Sequence, residues 1–230
     1  MKLELRKTND GSSTLYIPEM DEQYHSLNGA ITESKHVFIE SGFYFHPSPK
    51  PAIFEVGFGT GLNCLLTAYL AEKEKRKVVY TAIEKYPLDT AITDNLDYGR
   101  WFPNNGKKLY SDILRAAWGG QVQVSPWFTL LKLKADFISD NWDLPNGYDI
   151  VYFDAFGPDK QPEMWSAELI NRLFKMTLPG GVFVTYSAKG EVRRRLLSAG
   201  FAVEKLPGPP GKKEMLRGIK VGSKISLPKN

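Results

Sequence analysis

The sequence predicts an α/β protein with a doubly wound, mostly parallel sheet. From residue 51 onward, short apolar runs rich in β-branched and aromatic residues alternate with helix-compatible segments. Runs that are apolar throughout are typical of strands covered on both faces by helices. The 230 residues, 42% hydrophobic and 24% charged, suit one folded domain with a modest extension, and they exclude collagen-like, coiled-coil and disordered classes.

The first fifty residues differ from the rest. The segment KLELR alternates in polarity, TNDGSS is typical of a turn, and TLYI can return as a second strand. We therefore expect a division into an N-terminal β-hairpin extension, residues 1–50, and an α/β domain, residues 51–230.

The expected strands and helices follow in order along the α/β domain. The five apolar runs are AIFEVG, VVYTAIE, TLLKLKAD, DIVYFDAF and GVFVTYSA. Helices are expected over residues 62–74, 88–98, 108–118, 163–176 and 191–199, with Pro87 and Pro162 at positions where helix starts tolerate proline. FAVEKLPG and EMLRGIKV are two further strands whose short connection requires antiparallel pairing, which gives the sheet a reversed edge strand.

Cysteine and histidine usage limits the possible chemistry. Cys64 is the only cysteine, so a disulfide framework or a thiolate metal cluster within the chain is excluded, and a reducing compartment fits. His25, His36 and His46 have no metal-ligand spacing. No stretch is apolar enough for a secretory signal or a membrane span. We expect a cytoplasmic protein with no metal and no membrane contact.

Positive charge is concentrated near the carboxyl end. Residues 189–230 contain 11 Lys and Arg against 3 Asp and Glu, whereas residues 1–188 contain 19 against 23. A polyanion such as RNA would be attracted to this region. The alternative is a solvated basic tail that only keeps the protein soluble.

A glycine-rich turn follows the first core strand and opens a helix. Gly57, Gly59 and Gly61 permit a sharp turn and let a ligand approach the backbone closely. The dinucleotide spacing is broken by Leu62, which disfavours NAD. Glu84 ends the next strand, where a carboxylate can accept hydrogen bonds from ribose hydroxyls. A nucleotide-like cofactor is indicated, although a structural turn and an ordinary surface acid are the alternatives.

Asp154 is the candidate for chemistry on a substrate. It follows an apolar strand at the end where an α/β sheet forms its binding crevice. Capping of the turn that contains Pro158 is the alternative role.

The pattern E-x-G-x-G-x-G, which begins at Glu55, is similar to the first motif of class I S-adenosylmethionine methyltransferases. The resemblance implies that Glu55 organises the glycine loop and the methionine amino group. It also implies that Asp136 binds the adenine amino group and that Phe137 packs on the ring; a helix cap is the alternative for Asp136. S-adenosylmethionine is thus the expected cofactor, bound in a Rossmann-like fold.

Several longer motifs resemble one particular family. EVGFGTGLN, FDAFGPDKQPEMW, GEVRRRLLSAGF and GKKEMLRG, with DEQYHSLNGAITESKHVFIE near the start, look like the methyltransferase part of the MnmC family of tRNA 5-methylaminomethyl-2-thiouridine biosynthesis. The resemblance covers nearly the whole chain. It implies an enzyme that methylates the primary amine of 5-aminomethyl(-2-thio)uridine at the wobble position of the tRNA anticodon loop, without a fused FAD-dependent oxidase domain. We expect a monomer.

The resemblance also implies roles for individual residues. Asp154 would be the catalytic acid and Phe156 would stack on the base. The cofactor would be held by Glu55, Gly57, Gly59, Gly61, Glu84, Asp136 and Phe137, with Tyr24, Ser26, Gly29 and Glu33 from the N-terminal motif. Apart from the resemblance, positive charge makes six residues candidates for contact with RNA phosphates: Arg193, Arg194, Arg195, Lys212, Lys213 and Arg217. Successive arginines of EVRRRLL point in different directions on a helix, so at least one of them is expected to serve only the fold. The chain departs from the family at Ala155, where glycine is common, and at Gly157-Pro158, where Ala-Pro is common.

Other functions share parts of this pattern. A spermidine-synthase-like aminopropyltransferase also uses a glycine loop, a ribose-binding acid and an aspartate after the fourth strand. A small-molecule amine N-methyltransferase is a further alternative. An RNA-binding module that has lost its cofactor site is a non-enzymatic alternative, and the complete glycine loop with Glu84 argues against it.

Overall fold

The computed structural model describes residues 2–140 and 147–222. Its strands are β1 (Glu4–Lys7), β2 (Ser13–Ile17), β3 (Glu22–Gln23), β4 (Ala52–Val56), β5 (Val78–Glu84), β6 (Gln121–Ser125), β7 (Phe128–Lys134), β8 (Tyr148–Phe153), β9 (Thr177–Thr185), β10 (Ala202–Pro207) and β11 (Glu214–Ile219). Its α-helices are α1 (Ala30–Ser34), α2 (Leu62–Glu74), α3 (Thr90–Thr93), α4 (Gly106–Arg115), α5 (Ala167–Met176) and α6 (Gly190–Ala199). A π-helix at Lys35–Phe43 continues α1, and 3-10 helices lie at Asp94–Leu96, Tyr98–Trp101 and Pro162–Trp165.

The central sheet has eight strands in the order β10-β11-β9-β8-β4-β5-β7-β6. The five strands from β9 to β7 in this order are mutually parallel, as predicted. The last two strands pair antiparallel, also as predicted, but β11 lies between β10 and β9 and is itself the reversed strand. The antiparallel edge strand is therefore β6 at the opposite side, formed from the alternating segment QVQVS.

Helices cover both faces of the sheet, which confirms the α/β prediction. Successive residues of a strand point to opposite faces, so Ile53 of β4 packs with α2 and α4, whereas Phe54 and Val56 pack with α5 and α6. Within the described ranges, no helix combines the length and the apolar character needed to cross a bilayer.

The helix predictions differ mainly in the segment between β5 and α4. The helix expected over residues 88–98 is divided into α3 and short 3-10 turns, because Asp97 has a positive φ of 47° that ends helical backbone. The helix expected from residue 163 begins later, since Ser166 caps α5 by accepting a hydrogen bond from the Leu169 N–H. Helix α2 has the predicted bounds.

The N-terminal hairpin is present and is extended by β3 into a three-stranded antiparallel sheet. The following π-helix was not predicted. It lies against β8 and β9, where a Cβ on Gly42 would be 3.0 Å from the Tyr152 ring. Val37 and Phe43 share one buried cluster with Ile53, so the extension packs on the same core as the α/β domain.

Candidate active site

A cavity of about 490 Å³ opens at the carboxyl ends of β4, β5 and β8. This is the position at which open α/β sheets bind ligands. The N-terminal extension covers one side, and the connection between β10 and β11 reaches its rim. The predicted site residues that line it are Tyr24, Ser26, Glu33, Gly57, Gly59, Glu84, Asp136, Phe137, Asp154, Phe156 and Lys212.

The glycine turn forms the floor of the cavity. Gly57 has φ 88°, and a Cβ there would lie 2.8 Å from the carbonyl oxygen of Asp154. Gly59 has φ 49°, and its Cβ would lie 3.2 Å from the Tyr24 ring. Glycine is required at both positions by backbone conformation and by space. Gly61 is not among the residues that line the cavity. It precedes α2 with φ 75°, a left-handed conformation that favours glycine.

Glu84 faces the cavity and also forms a hydrogen bond with the glycine turn. Its Oε2 accepts a hydrogen bond from the Gly59 N–H at 3.1 Å, and its Oε1 accepts one from the Tyr86 N–H at 2.8 Å. The carboxylate at the end of β5 is therefore held in position by backbone donors, a contact that the sequence did not predict.

Asp154 lies at the wall of the cavity. Its Oδ2 accepts a hydrogen bond from Asn63 Nδ2 at 2.8 Å. Burial raises the pKa of Asp154 to about 7, with a further increase from the charge of Glu33, while the Asn63 bond and the charge of Lys212 oppose the increase. Near neutral pH this group can therefore either hold or accept a proton.

Glu55 is not among the residues that line the cavity, and the cofactor contact expected for it stays a prediction. It is fully buried behind Asp154, and its Oε1 accepts a hydrogen bond from the same Asn63 Nδ2 at 3.0 Å. Burial first, and then the charge of Asp154, raise the pKa of Glu55 well above its usual value. The sequence did not indicate a role for Asn63, although this residue lies two positions after Gly61 in the motif EVGFGTGLN.

Asp136 and Phe137 lie together at the end of β7, as predicted. Asp136 forms an ion pair with Lys85, Oδ2 to Nζ 2.8 Å, and the hydrogen bond from Lys85 lowers the pKa of Asp136. Phe137 is buried with 3% exposure and borders the cavity.

The N-terminal motif is tied to the cavity through Glu33. Its Oε2 accepts a hydrogen bond from the Ser26 N–H at 2.8 Å, and its Oε1 lies 2.8 Å from Lys212 Nζ. Gly29 does not line the cavity; a Cβ there would be 2.6 Å from Asp10 Oδ2, so its absence of a side chain is a packing requirement.

Aromatic rings surround the part of the cavity next to Asp154. The rings of Tyr24 and Phe156 meet edge to face with centroids 5.4 Å apart. The Tyr186 hydroxyl donates a hydrogen bond to the Ala155 carbonyl at 2.9 Å, and Lys212 Nζ lies 3.7 Å from the Tyr186 ring centroid. The Nε2 of His25 lies 2.8 Å from Thr60 Oγ1 in the glycine turn.

The basic residues expected to bind RNA lie in four different environments. Lys212 faces the cavity, whereas Arg194 and Lys213 are exposed on the surface. Arg195 donates to the Trp165 carbonyl at 2.7 Å, and Arg217 pairs with Glu204 at 2.8 Å. The remaining residue of the set, Arg193, is partly buried on α6.

A mostly parallel sheet with a glycine turn after its first core strand, a carboxylate after the second and a cavity between them is the architecture of a nucleotide-cofactor enzyme. The family model described as "S-adenosyl-L-methionine-dependent methyltransferase" matches residues 104–221. The chain belongs to this family of S-adenosyl-L-methionine-dependent methyltransferases.

Individual relatives are more specific. The chain is 33% identical over 221 residues to the tRNA 5-methylaminomethyl-2-thiouridine biosynthesis bifunctional protein MnmC of one Pseudomonas putida strain, covering 88% of this chain and 33% of the relative. A second strain's MnmC is 32% identical over 223 residues, with 89% and 33% covered. The chain thus spans about a third of the length of these curated relatives.

The crystal structure of MNMC2 from Aquifex aeolicus is similar over 100% of this chain and 73% of that chain, with a TM-score of 0.78 and 25% identity. These similarities confirm the predicted resemblance to the MnmC methyltransferase part, as well as the predicted Rossmann-like methyltransferase fold.

S-adenosylmethionine is the cofactor, as predicted, and the cavity fits it. Side chains at Gly57 and Gly59 would fill the space along the turn, so bare backbone faces the cavity there. Glu84, Asp136 and Phe137 border the cavity, and their carboxylates and ring would suit the hydroxyl groups, the amino group and the flat apolar face of this cofactor. The cavity of about 490 Å³ lies within the range of roughly 300 to 1,000 Å³ that is usual for small-molecule sites.

Proposed function

We propose that the enzyme methylates the primary amine of a 5-aminomethyl group on the wobble uridine of tRNA, with or without 2-thiolation. The observation that carries the proposal is the position of Asp154 in a cavity that also contains the glycine turn and the Tyr24–Phe156 pair. The MnmC relatives, whose names refer to 5-methylaminomethyl-2-thiouridine biosynthesis in tRNA, suggest the substrate class.

The charge of the cavity favours a cationic substrate. Among the described residues, its acidic side chains outnumber the basic ones: they are Glu22, Glu33, Glu84, Asp136, Asp154 and Glu163, against Lys85 and Lys212. An aliphatic amine is protonated at neutral pH, so this lining attracts it in its stable form. The amine must then lose a proton before its lone pair can form a bond.

Asp154 is the residue to which we assign this proton. S-adenosylmethionine supplies a methyl group that is already activated by a sulfonium sulfur. Asp154 would first take a proton from the ammonium group. The neutral nitrogen would then form the new bond to the methyl carbon as the carbon–sulfur bond breaks, and the electron pair of that bond would stay on the departing sulfur. A pKa of about 7 suits a group that accepts a proton near neutral pH. Positioning of the amine supplies further acceleration.

Phe156 and Tyr24 are the candidates for contact with the uracil ring. An anticodon loop can present an unpaired base, and such bases stack on aromatic side chains. The two rings border the cavity beside Asp154. This arrangement supports a base that contacts the rings and lies next to the Asp154 carboxyl group.

The loop phosphates are assigned to the exposed positive charges. Arg194 and Lys213 extend from α6 and from the β10–β11 connection and are free of the intramolecular bonds described for Arg195 and Arg217. Lys212, at the rim of the cavity, is suited to the phosphate nearest the modified base. We expect this reaction in the cytoplasm.

The test is mass spectrometry of nucleosides after incubation of S-adenosylmethionine and enzyme with tRNA that carries 5-aminomethyluridine. The expected product is 5-methylaminomethyluridine. Asp154→Ala is expected to lower the rate by about 10² or more, with cofactor affinity retained. Asp159→Asn is the matched control, because it removes a carboxylate from the exposed part of the same loop. Normal turnover by Asp154→Ala, or methylation of small amines but not of tRNA, contradicts the proposal.

A further inference from the structure

The carboxyl groups of Glu55 and Asp154 are joined by a single amide. Asn63 Nδ2 lies 3.0 Å from Glu55 Oε1 and 2.8 Å from Asp154 Oδ2. An amide nitrogen carries two hydrogens, so one hydrogen serves each carboxyl group and the donor capacity of Asn63 is used completely. This bridge connects the buried strand β4 to the loop that carries Asp154.

Asn63 is held rigidly enough to act as a fixed donor. It lies in the first turn of α2, directly after the glycine turn, and is 2% exposed. Its backbone carbonyl accepts a hydrogen bond from Thr67 Oγ1 at 2.7 Å. Helix α2 therefore sets the position of the Asn63 side-chain amide. The rotation of the amide about its side-chain bonds is set by its two acceptors, Glu55 and Asp154.

We propose that Asn63 is a positioning residue for Asp154, and that the buried acid of Glu55 acts as the anchor that fixes the rotation of the Asn63 amide. The inference rests on the proposed function of Asp154. It assigns a role to Glu55 other than cofactor contact, which agrees with the absence of Glu55 from the cavity lining among the described residues.

The surroundings of Glu55 favour its neutral form and raise its pKa well above the usual value. Complete burial of Glu55 disfavours its charged form, as does the neighbouring charge of Asp154. A neutral acid still offers its carbonyl oxygen to Asn63. It adds no second negative charge beside Asp154, so Asp154 remains the member of the pair that ionises.

Asn63 opposes the effect of burial on Asp154. Burial and the charge of Glu33, from α1, favour the protonated acid; the Asn63 bond and the charge of Lys212, from the β10–β11 connection, favour the carboxylate. Tyr186, after β9, also faces Asp154, and the charge of Asp154 is among the causes that raise the pKa of Tyr186. The Asn63 bond and the Lys212 charge are the two interactions that lower the pKa of Asp154. Loss of the Asn63 donor removes one of them, so less of the group is ionised near neutral pH.

The decisive measurement is the ionisation of Asp154 itself, followed by infrared difference spectroscopy of the carboxyl band, with Asp154→Asn as the subtraction reference. The wild-type midpoint is expected near pH 7. Asn63→Ala is expected to raise it by about one pH unit or more. Glu55→Gln, which keeps the shape and an acceptor oxygen but cannot ionise, is expected to leave the midpoint near the wild-type value.

Two further variants distinguish a specific effect on the Asp154 midpoint from a general folding defect. Asn63→Ser keeps a small polar group that is too short to reach both carboxyl groups, and it is expected to raise the midpoint as Asn63→Ala does. Asn105→Ala removes a similar bond to a carboxylate, Asn105 Nδ2 to Glu72 Oε2 at 2.9 Å, and is expected to leave the midpoint unchanged.

Two outcomes overturn the inference: an unchanged midpoint in both Asn63 variants, or a Glu55→Gln variant whose midpoint shifts as far as theirs. The acidic limb of the pH–rate profile should move with the carboxyl band. If the wild-type enzyme does not methylate tRNA, the proposed function fails, but the spectroscopic titration still tests the bridge because it needs no substrate.

Discussion

The Nζ of Lys212 lies 2.8 Å from Oε1 of Glu33, which joins the connection between β10 and β11 to helix α1. Glu33 also accepts the Ser26 N–H, so one carboxylate holds both the N-terminal cover of the cavity and the rim contributed by the C-terminal hairpin. The two ends of the chain are thus brought together at the site, and the charge of each partner also affects Asp154.

Lys212→Met is expected to loosen this closure. The Glu33 side chain, which is only 10% exposed, would lose its counter-charge, and we expect destabilisation by roughly 1 to 3 kcal/mol with a higher KM for tRNA. The apparent pKa of Asp154 should also rise, because the Lys212 charge favours the carboxylate. Thermal denaturation and pH–rate profiles measure these effects.

Lys205→Met is the control for Lys212→Met. Lys205 forms an ion pair with Glu214 at 2.9 Å in the same hairpin, but on its exposed surface. Such surface pairs contribute about 0 to 1 kcal/mol. Equal effects of the two variants would show that loss of any lysine in the hairpin is sufficient, and the role given to the Lys212–Glu33 pair would be wrong.

Gly57→Ala should damage both stability and cofactor binding. Its φ of 88° disfavours an L side chain by about 1 to 2 kcal/mol, and the new Cβ would lie 2.8 Å from the Asp154 carbonyl. Gly180→Ala isolates the first contribution, since Gly180 has φ 84° and no atom within 4 Å of the added Cβ. Calorimetric binding of S-adenosylmethionine should weaken only in Gly57→Ala; equal binding by both variants would exclude the steric effect.

The raised pKa of Asp154 predicts a pH-dependent stability. The folded protein holds this proton up to about pH 7, whereas an unperturbed aspartate releases it near 3.8. Between these values the folded state binds more protons than the unfolded state, so Asp154 reduces stability progressively as the pH rises. Above about pH 7 the reduction is complete.

Asp154→Asn removes this ionisation. Its free energy of unfolding relative to wild type should increase by roughly 1 to 4 kcal/mol between pH 4 and pH 8, measured by urea denaturation. Asp159→Asn is the comparison, because it removes from the same loop an exposed carboxylate that pairs with Lys189. A difference between Asp154→Asn and wild type that does not change with pH would contradict the raised pKa.

The exposed and the internally bonded basic residues should respond differently to substitution. Arg194→Ala and Lys213→Ala should weaken tRNA binding and lower the slope of log affinity against log salt by about 0.7 to 1 each, while leaving the melting temperature nearly unchanged. Arg195→Ala and Arg217→Ala should instead lower the melting temperature, since each loses bonds within the fold. Identical salt slopes in wild type and the double variant Arg194→Ala/Lys213→Ala would exclude these two phosphate contacts.

Local patterns in the sequence determined the parallel strands and helix α2. A buried strand of a doubly wound sheet is apolar on both faces, and this makes it recognisable without knowledge of its neighbours. The same applies to the glycine turn, because positive φ values are a local demand. These elements place Gly57, Glu84, Asp136 and Asp154 at one edge, since the carboxyl ends of parallel strands coincide.

Strand order and long-range contacts had no local signal. The insertion of β11 between β10 and β9 depends on which strand buries more surface, and a sequence of two similar strands does not encode that choice locally. Arg195 and Arg217 resemble exposed RNA-binding residues in the sequence, but their partners, Trp165 and Glu204, come from other elements. The π-helix at Lys35–Phe43 likewise follows from its packing against β8 and β9.

The sequence by itself therefore determined the class of fold and the cofactor turn, and it predicted Asp154 as the candidate acid. Only the tertiary structure decided how that acid is tuned. The ionisation of Asp154 depends on burial and on Asn63, Glu33 and Lys212, which come from three separate parts of the chain. Electrostatic energies depend on distance in space and on exclusion of water, and neither quantity exists before the chain has folded.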